Sequence, residues 1–479
     1  MSLQPHLDLL DPALLTRILD EAFELLRDPG IKLTAPEAIE LLTSSGASFA
    51  DGIARIPRHL AERALAAAPR EFSLYARDGT PAVRYAGGVV HFDPGSSCLN
   101  ILDPETLQPR PALCADLLRL VQVAEMLPQY AAQSTALVCA GIPEGIADLY
   151  RLFLVLCWSD KPVVTGAFSA AGLAPMLDLL AAEAGGRDAL RAKPRAVFDV
   201  CPSPPLNWSD FAAENIVELA RAGVPAQIVP VPLAGIAAPV TLAGAAVQHA
   251  AEALAGVALH QLASPGAPVV WGGAPAIVDM RSGATPWGAI ESVMLNMACA
   301  QCGKHLGLPT HAYLATSDSK LMDAQAGMES GVSAVLGALA GINMISGAGM
   351  LDSLACHSVE KLALDAEAIA SAQRLLAGIE ARTTPLATAM FAAAGPKGEF
   401  LQLPETRKLF RAEQHLPSDI IQRDSSAPST DTFSRARQRV AELLASYQPS
   451  SLCLASRDRL RAAVSPHAQR AGLATLPGV

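Results

Sequence analysis

Apolar residues recur at helical spacing through the first part of the chain. LDPALLTRILDEAFELLRDPG carries such a stripe and stops at Pro29-Gly30, a helix terminator. The pattern predicts a second helix over 36–44 and a third over 57–68, each opening on proline. Two short extended pieces, EFSLYARD and AVRYAG, surround Gly79 and predict a small hairpin. From residue 88 the pattern becomes regular, with short β-branched runs alternating with Ala/Leu-rich stretches of helical length. The runs are 88–92, 131–138, 161–168, 195–202, 226–233, 268–273, 310–316 and 342–349. Helices are expected at 113–126, 144–158, 170–184, 209–222, 241–262, 286–305, 320–340 and 357–378.

Eight strands in strict alternation with eight helices predict parallel βαβ units, and eight is the number that closes a barrel. The fold class is therefore α/β, a (β/α)8 TIM-type barrel, with an open doubly wound sheet as the alternative. Residues 1–87 form a helical N-terminal region with its hairpin, and 88–384 form the barrel. Residues 385–479 form a mostly helical extension, with a polar linker near 424–432 and a helix at 433–446, packed on the barrel or on a neighbouring subunit.

Composition narrows the class. The chain is 51% hydrophobic and 17% charged, with a net charge of −10, which excludes disorder and argues against non-specific nucleic-acid binding. No window reaches the eighteen or so uninterrupted apolar residues of a membrane helix, and the first residues lack a signal-peptide pattern. Nine scattered cysteines suit free thiols in a reducing compartment, so a cytoplasmic location is expected. Aromatics are only 5% of residues, so any clustering of them is informative.

Several motifs read more simply than they look. GAGMLD at 347–352 lacks the third glycine of a dinucleotide fingerprint, since Asp352 stands there, and reads as a tight turn. Cys299 and Cys302, with His305, lie inside an expected helix, where packing thiols are the better reading than zinc ligands or a redox pair. Cys356-His357 with Glu360 lacks a second cluster to complete a metal site. Acidic residues of DSKLMDAQAGMESG at 318–331 suit helix capping, although one of them could balance a cation in the mouth.

Barrel enzymes act at the C-terminal ends of their strands. There the sequence places Phe92, Gln133, Phe168, Cys201, Trp271 and Tyr313, with Trp208 and Trp287 starting the following helices. Aromatic faces attract a cation that has no N–H to donate, so this set predicts a cage for a quaternary ammonium group. For any single ring the alternative is a cap on the barrel core.

HFDPGS near the first strand, VDMRSG after the sixth, the run at 317–353 and the tail PETRKLFRAEQHLPSDIIQRD together resemble the trimethylamine methyltransferase family over nearly the whole chain. The resemblance implies a barrel that passes a methyl group from a methylated amine to the cobalt of a separate corrinoid protein. The cobalamin would be carried by that partner, with no metal or nucleotide bound by this chain. Some founding members carry pyrrolysine. This sequence has only standard residues, which implies the branch acting on quaternary amines such as betaines or carnitine. Trimethylamine demethylation without pyrrolysine and a non-catalytic sensor of methylated amines are the alternatives, and a barrel using Cys201 or Cys356-His357 is a third. The resemblance places Ser346 and Asp352 at the substrate, and Gly347 and Gly349 in a turn facing the corrinoid. Relatives acting on glycine betaine tend to carry histidine at the position of Ser346, and the departure speaks against that substrate. Gln133 and Arg281 are then the contacts expected for a substrate carboxylate. A homo-oligomer is expected.

Overall fold

The computed structural model describes residues 4–169 and 172–478. Its eight central strands are β1 (His91–Pro94), β2 (Gln133–Ser134), β3 (Val163–Gly166), β4 (Ala196–Val200), β5 (Ala226–Ile228), β6 (Val269–Trp271), β7 (His311–Tyr313) and β8 (Met344–Ala348). Each is followed by a helix. The first four are α1 (Cys114–Met126), α2 (Ala147–Trp158), α3 (Leu173–Ala184) and α4 (Asp210–Ala222). The others are α5 (Leu242–Ala263), α6 (Ile290–His305), α7 (Ala324–Leu339) and α8 (Val359–Leu376). The alternation follows the hydrophobic pattern closely, and the strands are shorter than the apolar runs that contain them. Residues 170–171 of the expected 170–184 helix lie outside the described residues.

All pairings between these strands are parallel. β2 to β6 form one continuous run and β7, β8 and β1 another. The Trp271 amide donates to the Pro309 carbonyl at 2.8 Å, and the Ala131 amide donates to the Phe92 carbonyl at 2.9 Å. These bonds join the two runs on both sides and close the barrel.

Inward and outward positions separate by what they touch. Ala132, Val164, Val197, Val270 and Met344 point inward and form an apolar floor with Leu74, Val83 and Tyr85. The last three come from the hairpin of Phe72–Tyr75 with Pro81–Tyr85, which plugs the N-terminal end of the barrel. The outward set, including Val163, Phe198, Val269 and Trp271, packs under the helices. Glycines end α3 and α4 at φ +90° and +69°, the left-handed cap that turns the chain into the short helix Arg187–Ala192 after α3 and towards β5 after α4.

α5 is long and apolar enough to cross a membrane by composition, but most of it is buried in the fold, against helices Pro12–Arg27 and Arg58–Ala67. Helix Thr432–Ser446 packs on α8 and α1, and helix Ser451–Arg470 on α2 and α3. Between barrel and tail, helices Thr388–Ala394 and Pro404–Glu413 bury no side chain.

Close helix–strand packing yields one stability prediction. A Cβ on Gly303 of α6 would stand 2.5 Å from the Trp271 ring. Gly303→Val is expected to lower unfolding free energy by about 1–3 kcal/mol through overpacking, read from urea denaturation.

Candidate active site at the barrel mouth

Above the apolar floor the lumen becomes polar. Strand register puts Tyr313, Ser346 and Asp93 side by side on β7, β8 and β1. The Ser346 hydroxyl donates to Asp93 Oδ1 at 2.5 Å, and His311 Nε2 lies 3.1 Å from the same hydroxyl. Ser346 uses its only proton on Asp93, so His311 carries its proton on Nε2, and Nδ1 is left as an unpaired acceptor. Asp93 Oδ2 and His311 Nδ1 are buried without a hydrogen-bond partner.

A second chain crosses the lumen. The Gln227 amide donates to Asp199 Oδ1 at 2.6 Å, and the Tyr313 hydroxyl donates to Asp199 Oδ2 at 3.2 Å. Ser96 meets the Tyr313 oxygen at 2.9 Å, and Tyr85 reaches Gln227 Oε1 at 3.4 Å. Burial raises the Asp199 carboxyl to about 7, with the bonds from Gln227 and Tyr313 opposing it. Burial also raises Asp93 well above the carboxylate range, the Ser346 bond opposing and the Asp199 charge adding to it. His311 is lowered by burial to about 3 and is neutral at ordinary pH.

The cation nearest this layer is already committed. Arg151 of α2 gives its terminal N–H groups to Ser97 Oγ, the Thr135 carbonyl, Asp148 Oδ1 and the Gly166 carbonyl, at 2.8 to 3.3 Å. Its guanidinium stands 5.0 Å from the Phe168 ring centroid. The Phe168 ring lies over the inward-facing Gly166, where a Cβ would come within 2.9 Å of it, and is half exposed at the mouth.

The sequence-predicted set divides on this geometry. Tyr313 and Ser346 line the lumen, Phe168 covers its edge, and Cys201 follows Asp199 on the same strand face. Burial pushes the Cys201 thiol up to about 12, which keeps it protonated and a poor nucleophile. Phe92, Gln133 and Trp271 point the other way. Phe92 packs among the barrel–helix contacts. The Gln133 amide donates to the Val121 carbonyl of α1 at 3.0 Å. The Trp271 indole donates to the Cys299 carbonyl of α6 at 2.9 Å. Trp208 is buried where its strand pairs with Ile31–Leu33, and Trp287 is half-buried, its amide held by Asp318. Asp352 stays on the rim, 3.9 Å from Lys320 Nζ.

Gly347 and Gly349 are buried rather than presented at the surface. A Cβ on Gly347 would strike the Leu314 carbonyl, and one on Gly349 would strike the His357 ring. Both also have positive φ, at 144° and 84°, so the turn needs glycine for its own backbone. Arg281 is 91% exposed and folds back onto Asp279, away from the lumen.

Residues 2–472 match the family described as trimethylamine methyltransferase (MTTB). The chain is 31% identical to trimethylamine methyltransferase MttB1 of Methanosarcina mazei, over 88% of this chain and 87% of that one. The chain belongs to the trimethylamine methyltransferase family. Within it, the chain is 28% identical to a glycine betaine methyltransferase of Desulfitobacterium hafniense, over 94% of this chain and 95% of that one. The monomethylamine methyltransferase of Methanosarcina barkeri shares the fold, with a TM-score of 0.52 at 11% identity, covering 97% of this chain and 88% of that one.

The family match leaves several lumen residues that the sequence reading passed over: Asp93, Asp199, Gln227, His311 and the Ser96 hydroxyl. A signal for two of them was present. Asp93 in HFDP and Asp199 in VFDV are acidic residues inside runs that otherwise read as buried strand, and a parallel strand covered on both faces has no solvent side for a charge.

Proposed function

We propose that this chain removes a methyl group from a small methylated ammonium compound and delivers it to the cobalt of a separate corrinoid protein docked on the barrel mouth. The observation that carries this reading is the closed-floored lumen whose polar layer, Asp93, Asp199 and Tyr313, suits a cation and, among the described residues, offers no activated nucleophile. The corrinoid cobalt, in its reduced form, supplies the nucleophile. The chain's own residues bind, orient and exclude water. A quaternary nitrogen already leaves as a neutral amine, so no acid or base is needed at the transferred methyl. Holding that methyl in line at the mouth can supply a large share of the rate acceleration.

The rim suits a protein partner. Ile236, Val240 and Met280, in the loops after β5 and β6, are each 70–75% exposed. Met280 lies beside Gly235, with its sulfur 3.6 Å from where a Cβ would stand, and Val240 borders the same point. A partner seated on this apolar edge would cover the lumen and present its cobalt to the methyl.

The test is incubation of the protein with reduced corrinoid protein and a panel of methylated amines, following the demethylated product by mass spectrometry. Product formation with one amine supports the proposal, and binding without product favours a sensor. Tyr313→Leu is expected to weaken cation binding by about 0.5–2 kcal/mol, or about 2- to 30-fold. Trp271→Leu is expected to leave affinity unchanged while lowering stability, because its indole faces α6.

A further inference from the structure

The lumen is unevenly charged. Two buried carboxyl groups, Asp93 and Asp199, face it from β1 and β4. They are close enough that the Asp199 charge raises Asp93 and both act on the Tyr313 hydroxyl. Apart from Arg151, which acts on Asp199 from α2, the remaining polar groups facing them are neutral: Ser346 and His311 beside Asp93, and Gln227, Tyr313, Ser96 and Tyr85 around Asp199. Asp93 Oδ2 is buried without a partner, although an isolated carboxyl oxygen loses several kcal/mol of hydration there.

A substrate carboxylate would need a donor cluster or a cation in the same space. Arg151 has all of its terminal N–H groups engaged and its charge paired with Asp148 at 3.0 Å, so that only its buried Nε–H lacks a partner. Arg281 and Lys320, on the rim, are 91% and 83% exposed in their side chains and lean on Asp279 and Asp352. Gln133 is turned outward to α1. Among the described residues the lumen thus offers an anion neutral hydroxyls, an amide and an imidazole beside the Asp199 carboxylate, and like charges brought together without water cost several kcal/mol.

We infer that Asp199, with Asp93 beside it, sets substrate choice, making the lumen a receptor for methylated ammonium compounds of net positive charge and rejecting zwitterions that carry their own carboxylate. Tetramethylammonium and choline are of the accepted kind, and glycine betaine and carnitine of the rejected kind. Asp199 is the counter-charge for the bound cation, and Asp93, kept neutral by burial, leaves an unpaired oxygen beside it. The inference rests on the proposed reaction only for the methylated nitrogen, and the charge argument is separate from methyl transfer.

Calorimetric titration of the full-length protein with these four compounds at pH 7.5 tests it without the partner. Tetramethylammonium and choline are expected to bind at least tenfold more tightly than glycine betaine and carnitine. Asp199→Asn, which keeps shape and removes charge, is expected to shrink that preference at least fivefold. The wild-type comparison stands if that variant does not fold. Glycine betaine or carnitine binding as tightly as choline overturns the inference. If such a zwitterion is also demethylated with reduced corrinoid protein, the inference falls while the proposed reaction stands. Failure of all four compounds to bind overturns both.

Discussion

Lys361→Met is expected to destabilise the fold by about 3–5 kcal/mol, the largest effect of any single substitution considered. Lys361 is fully buried at the start of α8, where its Nζ donates to Asp365 Oδ2 at 2.6 Å and to Ser330 Oγ of α7 at 2.7 Å. The same Asp365 oxygen accepts the Gly349 amide at 2.7 Å, tying the turn after β8 to α8. Removing the ammonium leaves a buried carboxylate held by the Gly349 amide and the Ser330 hydroxyl with no counter-charge, and an uncompensated buried charge carries that cost. The double variant Lys361→Met with Asp365→Leu is expected to recover most of the loss, because both charges then disappear together. Urea unfolding of the two variants checks this. A single variant within 1 kcal/mol of wild type would show that the pair is not held as described.

Asp199→Asn is expected to weaken tetramethylammonium binding by about 2–5 kcal/mol, which is about 30-fold or more. The substitution keeps a neutral amide against Gln227 and Tyr313 and removes a counter-charge from the lumen. The pH dependence follows from the same group. Asp199 titrates near 7, so it is ionised above that value and protonated below it. Cation affinity should hold steady above about pH 8 and fall as pH drops through 7, approaching tenfold per unit at the lower end. Groups facing Asp199 are Asp93 from β1, Gln227 from β5, Tyr313 from β7, Cys201 from its own strand and Arg151 from α2. Asp199→Asn should flatten the profile between pH 6 and 8. Titration at five pH values in both proteins decides it, and an unchanged slope in the variant would remove Asp199 from the binding site.

The architecture was legible because each βαβ unit repeats one hydrophobic rhythm. Val163–Gly166 within its run at 161–168, and Asp210–Ala222 within its stretch at 209–222, lie inside or nearly at the expected bounds. The lumen was harder to read. Barrel strands are buried on both faces, so apolar character does not say which face a residue takes, and an error of one position exchanges lumen for helix layer. Phe92 stands beside Asp93, Gln133 beside Ser134 and Trp271 beside Gly272, and in each case the second residue is the one that faces inward. The aromatic criterion favoured the larger neighbour. Tyr313 and Ser346 were found because β7 and β8 happen to put their polar or aromatic residues inward.

The hairpin floor governs traffic. With Leu74, Val83 and Tyr85 sealing the lower end, the amine and the corrinoid protein of the proposed reaction would share, among the described residues, one door. The amine must enter before the partner sits down, and the demethylated amine can leave only after the partner lifts away. Under the proposed reaction the two substrates therefore follow a compulsory order. A partner that lingers on the rim would hold the product inside, so its release, rather than the methyl transfer, would set the pace of turnover.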